Sequence, residues 1–245
     1  YRQYKKLQKK QVLEDKFTKN TREFIAAELK KDNIKVNALP SIVSLRFDNS
    51  FKKYDESRIV LALAHMSIQS LQKSNQKINI MEEAYAARNV MQPYISDMME
   101  EGFRKEDVCL GDFEPINHKE VQNAMDKLQD KYEYLSTDSN ISDKDYICGC
   151  SEILADFIIY TQPFNNGNKR TALYVFNSML LSKGLIPPIL SVARDNDFTK
   201  VLYKCKNKDY DDLKDLLVSK VAKMNPDRNI IPVSPEEQKN TEIEN

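Results

Sequence analysis

The residues best suited to chemistry lie in the stretch 161–172, which reads TQPFNNGNKRTA between two apolar helical patterns. It contains three asparagines, one of the chain's five glycines and a Lys–Arg pair. Glycine lets the backbone curl tightly. A helix that begins near Asn168 would direct unbonded N–H groups and the positive end of its dipole into the turn. Lys169 and Arg170 add positive charge, and arginine suits bidentate contact with phosphate. The stretch is therefore a candidate phosphate-binding turn.

The same residues allow other interpretations. The spacing GxxxxGK[ST] of the Walker A loop is absent. Taken alone, the stretch has a simpler interpretation as an ordinary corner between two helices with a solvated Lys–Arg pair. The four cysteines form no CxxC and only two histidines exist, so no zinc site is predicted and the cysteines are expected to be free thiols.

The elements that position this turn are predicted to be helices. A chain with only five glycines is unsuited to an all-β fold built from tight turns. The helix before the turn begins after an N-cap at Ser142 and ends at Pro163. The helix after it runs from Thr171 to Lys183 and stops at Gly184. Apolar spacing predicts further helices over 56–72, from Ile80 onward, and over 118–135, 195–206 and 209–223.

Composition divides the chain into three parts. Residues 1–52 are charged and predict a helical N-terminal extension, 53–222 form the main domain, and 223–245 are expected to be a disordered tail. Positive and negative side chains balance at 37 each, which gives no argument for a nucleic-acid partner. No apolar run is long enough for a membrane span. The first residue is Tyr1 rather than Met, which suggests a fragment or a processed product.

The stretch 162–170 resembles the signature of the Fic/Doc family, His-x-Phe-x-(Asp/Glu)-Gly-Asn-(Gly/Lys)-Arg. The matching residues are Phe164, Gly167, Asn168, Lys169 and Arg170. The segments GFRKEDV, LLSKGLIPPIL and DNDFTKVLYKCKNKDYDDLKDLL are also similar to family segments. The resemblance covers roughly residues 56–222.

The resemblance implies an all-α, Fic-type helical bundle with a small β-hairpin flap. It implies a nucleotidyltransferase that moves AMP from ATP, with Mg²⁺, to a hydroxyl of a target protein (AMPylation). Gly167, Asn168, Lys169 and Arg170 would bind the phosphates. The flap, near Val108–Phe113, would bind the target by strand addition.

Two positions depart from the family pattern. Gln162 stands where the family has its catalytic base, a histidine, and a side-chain amide cannot take up a proton near neutral pH. General-base catalysis contributes about 10²- to 10⁴-fold, so transfer should be weak or altered. Asn166 stands where a carboxylate holds Mg²⁺, and a neutral carbonyl oxygen makes a weaker magnesium position. Neither His65 nor His118 lies within the motif.

The inhibitory ion pair of many family members also lacks counterparts. Leu173 stands where a second arginine is common. The inhibitory helix aligns best with SLQKSNQ, which places Ser70 at its start and Ser74 where a glutamate is expected. An enzyme with little activity would need no such brake, so these losses agree with one another.

Three functions remain open from the sequence. The chain is a weak or altered Fic-type protein adenylyltransferase, a catalytically inactive Fic module that acts as a nucleotide-regulated protein-binding domain, or a helical interaction domain with an empty turn. ATP and Mg²⁺ are the only cofactors implied, and a homodimer is compatible with each function. The expected location is the cytoplasm, or a host cell if the protein is a secreted bacterial effector.

Overall fold

The computed structural model describes residues 76–92, 102–188, 190 and 196–230. Several predictions fall outside this part of the chain: the extension 1–52, the helix over 56–72 with His65 and Ser70, and the inhibitory-helix position Ser74.

Within the described residues the fold is helical, as predicted, and contains no strand. The α-helices are α1 (Ile80–Met91), α2 (Val121–Thr137), α3 (Asp143–Asp156), α4 (Asn168–Ser182), α5 (Asn196–Lys204) and α6 (Asp211–Met224). Short 3₁₀ helices cover His118–Glu120 and Cys205–Asn207, and a π-helical turn covers Phe157–Thr161. No described helix has the length and apolar character that crossing a membrane requires.

Helix α3 is the central helix because it packs against α2, α4 and α6. Its apolar residues Ile147, Cys150 and Leu154 are buried, as are Phe157 and Ile158 in the π-helical turn that follows. Helix α4 packs on α3 with one side and on α1 with another. It is correspondingly buried on most of its surface, with Ala172, Phe176, Met179 and Leu180 all in the core. The two helices that flank the polar turn are thus the most enclosed elements of the fold.

One glycine allows α2 and α3 to approach closely. A Cβ added at Gly149 of α3 would lie 2.5 Å from Cδ1 of Leu135 in α2. Hydrogen bonds between hydroxyl groups also join these helices to α4. Tyr132 of α2 and Tyr146 of α3 both reach Ser182 Oγ at the end of α4, at 2.9 Å and 3.2 Å. This contact ties the far end of α4 to the rest of the bundle.

The predicted flap is not shown as a β-hairpin. Residues 108–113 form a tight turn closed by one antiparallel bridge between Leu110 and Phe113, without paired strands on either side. The bridge is nevertheless anchored, since the Phe113 ring meets the Tyr160 ring edge-on at 5.3 Å.

Helix α6 continues to Met224, and the chain beyond it packs on the domain. Asn225 is buried and bonds to both the N–H and the carbonyl of Ile186, and Ile230 is also buried. The sequence had placed these residues at the start of a disordered tail over 223–245. Periodicity could not reveal this packing because isolated side chains outside a helix make it, namely Asn225 and Ile230. Residues 231–245 lie outside the described part.

Candidate functional site

The turn that begins the site has an unusual backbone. Helix α3 widens into the π-helical turn Phe157–Thr161, and the N–H of Gln162 donates to Phe157 O at 3.0 Å, five residues back. Gln162 itself is left-handed, with φ 42° and ψ 60°. A non-glycine residue in this region carries strain that the surrounding structure has to hold.

A buried arginine, Arg104, holds this backbone in place. Its Nε donates to Gln162 O at 2.8 Å, and its Nη2 reaches Thr161 O at 3.4 Å and also bonds to Ile116 O. The backbone N–H of Arg104 donates to Pro163 O at 2.8 Å. Burial lowers the pKa of Arg104 and the Asp107 carboxylate acts against this, yet arginine remains charged at such sites. Three successive carbonyls of the motif therefore bond to one residue.

The side chain of Gln162 is fully engaged inside the protein. Its Nε2 donates to Ile158 O, and its Oε1 accepts a hydrogen bond from Asn168 Nδ2 at 2.8 Å. Asn168 also accepts from Phe164 N at 2.9 Å and donates to Phe164 O at 2.6 Å. Gln162 and Asn168 are both buried. We call this pair the amide lock, because it closes the turn across residues 162–168.

Helix α4 begins immediately after the amide lock, and its N-cap residue and first turn differ from those of a typical helix. Gly167, at φ 77° and ψ 1°, occupies the N-cap position before Asn168 and has no side chain to cap the helix. The first turn contains no acidic residue, whereas Lys169 and Arg170 are its second and third residues. The positive end of the helix dipole is thus surrounded by positive side chains, which favours a bound anion.

The two cations of the turn are half-buried rather than extended into solvent. Lys169 Nζ donates to Tyr203 OH at 3.2 Å and lies 5.6 Å from the centre of that ring. The Tyr203 ring also lies 5.3 Å from Lys206 Nζ. The same Nζ lies 2.6 Å from Asp112 Oδ1. Tyr203 thus connects the turn with the 108–113 segment.

Phe164, the apolar residue of the motif, attaches the turn to α1. Its ring lies 5.8 Å from that of Tyr85 and 5.9 Å from that of Phe103, and those two rings stack at 5.4 Å. Arg88 of α1 lies over the Phe164 ring at 5.8 Å. Aromatic pairs at these distances stabilise a specific arrangement beyond simple burial.

The magnesium position is the weakest part of the predicted site. Asn166 is exposed, and its Oδ1 accepts from Gly167 N at 2.7 Å. Among the described residues no group of three His, Cys, Asp or Glu could hold a metal ion. One neutral oxygen that is already hydrogen-bonded does not fit a magnesium site held by the protein alone.

His118 is hydrogen-bonded to Asp107, the carboxylate beside Arg104. Its Nδ1 lies 3.0 Å from Asp107 Oδ1, and its backbone N–H donates to the same oxygen at 2.7 Å. These hydrogen bonds from His118 lower the pKa of Asp107. The histidine therefore belongs to the group that supports Arg104.

Comparison with known proteins agrees with the motif. The model of the Fic/DOC family matches residues 79–180, which confirms the resemblance over this part of the chain. Nineteen solved chains match the structure. One is the crystal structure of a Fic domain-containing signalling protein from Bacteroides thetaiotaomicron, 12% identical, with a TM-score of 0.53 over 92% of this chain and 100% of that one. No curated protein matches the sequence.

The structure brings together most of the predicted site residues and adds others. Gln162, Phe164, Gly167, Asn168, Lys169 and Arg170 all lie in or beside the one turn. Reasoning from the sequence missed the roles of Arg104 and Tyr203. The first could have been suspected, since GFRKEDV was recognised as a family-like segment. Tyr203 carries no signal in the sequence, because its contact with Lys169 joins residues 34 positions apart.

Proposed function

We propose that the turn 162–170 binds the phosphates of a nucleotide such as ATP, and that this Fic-like protein transfers AMP to protein hydroxyls weakly or in an altered way. The observation that carries the proposal is the start of α4. A left-handed glycine there precedes a helix without a side-chain cap among the described residues, and Lys169 and Arg170 follow it. Lys169 and Arg170 would meet the phosphate charge, and Asn168 would hold the turn in shape.

The amide lock is the reason to expect weak transfer. Both ends of the Gln162 amide are hydrogen-bonded, and an amide has no proton-accepting nitrogen or carboxylate. Positioning and electrostatic stabilisation of the phosphates remain available to the reaction. Loss of the base alone would lower the rate by about 10²- to 10⁴-fold.

A second candidate follows from the same lock. Because Gln162 is buried and bonded, its role is structural, and this suits a module that binds nucleotide without reacting. The segment 108–113 would then contact a partner protein, with Cys109 and Gly111 exposed and Leu110 and Phe113 half-buried. Nucleotide at the turn would influence this segment through Lys169, Tyr203 and Lys206, and a second copy of the chain is one candidate partner.

Titration of ATP into the full chain tests the common part of both candidates. Calorimetry with and without Mg²⁺ should show binding in both conditions, because the described residues supply cations but no magnesium site. Absence of binding at millimolar ATP would contradict both candidates. Transfer of labelled AMP to the chain itself or to added protein separates them.

The variant Gln162→His combined with Asn166→Asp restores the family's residues at both altered positions. If the pocket geometry is intact, this variant should gain self-modification relative to the wild-type chain. Gln162→Ala with Asn166→Asp is the matched control, since it breaks the lock without adding a base. Equal transfer by the two double variants would show that the histidine does not act as a base here.

A further inference from the structure

Asn166 and Gly167 form the only Asn–Gly pair in the sequence. Asn166 is exposed, and the backbone nitrogen of Gly167 lies 2.7 Å from its Oδ1. This hydrogen bond keeps the Gly167 nitrogen close to the side-chain amide of Asn166. Proximity of this kind makes an intramolecular attack far more frequent than attack by a free molecule.

We propose that Asn166 is a deamidation site at which the chain converts its own asparagine to aspartate. The Gly167 nitrogen loses its proton to solvent and attacks Cγ of Asn166, which forms the N–Cγ bond of a succinimide ring. Nδ2 takes up a proton and leaves as ammonia. Water then opens the ring, so the net change is asparagine plus water to aspartate plus ammonia. No oxidant or further reactant is required.

The neighbouring asparagines lack this combination of features. Asn165 is also exposed, but the residue that follows it carries a Cβ that hinders closure of the ring. Asn168 is buried, and both ends of its amide bond to Phe164 and Gln162. Gly167 has no Cβ, and its left-handed conformation is freely available to glycine. The reaction is thus expected at one of three closely spaced asparagines.

The consequence, which rests on the proposed nucleotide site, is that nucleotide binding at this site becomes more dependent on Mg²⁺. An aspartate at position 166 places a negative charge at the beginning of α4, where phosphates are proposed to bind. That charge repels a nucleotide that arrives without a metal and supplies a carboxylate ligand for one that arrives with Mg²⁺. Ring opening toward isoaspartate instead lengthens the backbone by one carbon and disturbs the turn.

Peptide mapping by mass spectrometry tests the modification on the full chain. The protein is incubated at mildly alkaline pH and physiological temperature, and deamidation is followed at Asn165 and Asn166 within the same peptide. We expect conversion at Asn166 to be faster by about tenfold or more. Equal or slower conversion at Asn166 would overturn the proposal. The variant Asn166→Gln, which keeps an amide but lengthens the side chain, should lose the fast reaction.

ATP titration tests the consequence separately. Asn166→Asp should bind ATP several-fold more weakly than the wild-type chain without Mg²⁺ and should recover with it. The same magnesium dependence in both proteins would overturn the functional consequence. If the wild-type chain binds no ATP, the proposed nucleotide site fails, while the deamidation result stands on its own.

Discussion

Helices α3 and α4 begin in opposite ways although they are neighbours of similar length. At the start of α3, Ser142 Oγ accepts from Asp145 N at 3.0 Å, and Asp143 and Asp145 lie in the first turn. At the start of α4, Gly167 provides no side-chain cap and the first turn contains only cations as charged residues. A cap is worth about 1 kcal/mol, and a favourable charge adds about 0.3–1 kcal/mol.

The difference shows which helix start is complete without a ligand. The α3 start provides its own hydrogen-bond acceptor and its own negative charge. At the start of α4, Gly167 has no side chain that could act as an acceptor, and the first turn contains no acidic residue. A bound anion would supply both missing features at once, and this comparison supports the phosphate site more strongly than the motif alone does.

The largest expected difference in stability is between substitutions of Asn168 and Asp143, the first residues of α4 and α3. Asn168→Ala removes three hydrogen bonds and leaves buried groups of Phe164 and Gln162 without partners, so it should lower the free energy of unfolding by about 3 kcal/mol. Asp143→Ala, at the matching position of α3, removes a partly exposed pair with Arg228 and should cost below about 1 kcal/mol. Urea unfolding measures both. Equal losses would mean that the amide lock contributes little.

The second residue of each helix tests the anion site. Lys169→Ala combined with Arg170→Ala should weaken ATP binding by about tenfold or more, because charge-assisted hydrogen bonds are worth about 1.5–3 kcal/mol. Lys144→Ala changes the corresponding, exposed lysine of α3 and should leave binding unchanged. Calorimetric titration compares the three proteins. A loss of affinity in Lys144→Ala would indicate a diffuse charge effect rather than a site.

Substitution by alanine of the residue before each helix should destabilise the chain, for a different reason in each case. Ser142→Ala removes a side-chain cap and should cost about 1 kcal/mol. Gly167→Ala forces an L side chain into φ 77° and should cost about 1–2 kcal/mol. Adding ATP should stabilise Ser142→Ala as much as the wild type but Gly167→Ala less, as measured by thermal unfolding. Equal stabilisation would show that the glycine turn is not part of the binding site.

Ser151 of α3 and Thr171 of α4 both carry buried hydroxyls, and of these two only that of Ser151 has a hydrogen-bond partner among the described residues. Ser151 of α3 donates to Ile147 O at 2.7 Å, whereas Thr171 Oγ1 of α4 is buried with no hydrogen-bond partner among the described residues. Thr171→Val removes that group at constant shape and should stabilise the chain by about 1 kcal/mol. Ser151→Ala should not stabilise it. A destabilised Thr171→Val chain would show that the hydroxyl has a partner in solution, such as water.

The smallest effect expected is a pH dependence that belongs to α3 alone. Burial raises the pKa of Glu152, but hydrogen bonds from Lys131 and Lys214 outweigh it and lower that pKa overall. The stabilisation is therefore complete above the unfolded pKa of about 4.3 and is lost as the pH falls through the lower folded value. Glu152→Gln should flatten this part of the stability–pH curve. An unchanged curve would assign the acid sensitivity to other groups.

Much of the bundle could be predicted from periodicity. The apolar spacing of 147–158 and 172–180 led to α3 and α4 with the correct buried faces, and Ser142 was recognised as an N-cap. Apolar periodicity alone placed the start of α4 at Thr171, because Asn168, Lys169 and Arg170 are polar, whereas the glycine turn placed it near Asn168, where the helix does begin. The flap was expected as a hairpin, which the structure does not show, since only one bridge, between Leu110 and Phe113, closes this segment.

The order of residues in the chain was sufficient to locate the turn, assign its glycine to a tight curl and show that a base and a carboxylate are absent from it. Those properties depend on residue type and on spacing over a few positions. The hydrogen-bond partners of the turn could not be known this way. Arg104 reaches Gln162 O across 58 positions, Lys169 meets Tyr203 across 34, and Gln162 faces Asn168 only because a π-helical turn rotates it inward. Packing of distant segments creates these contacts, and local pattern carries no record of them.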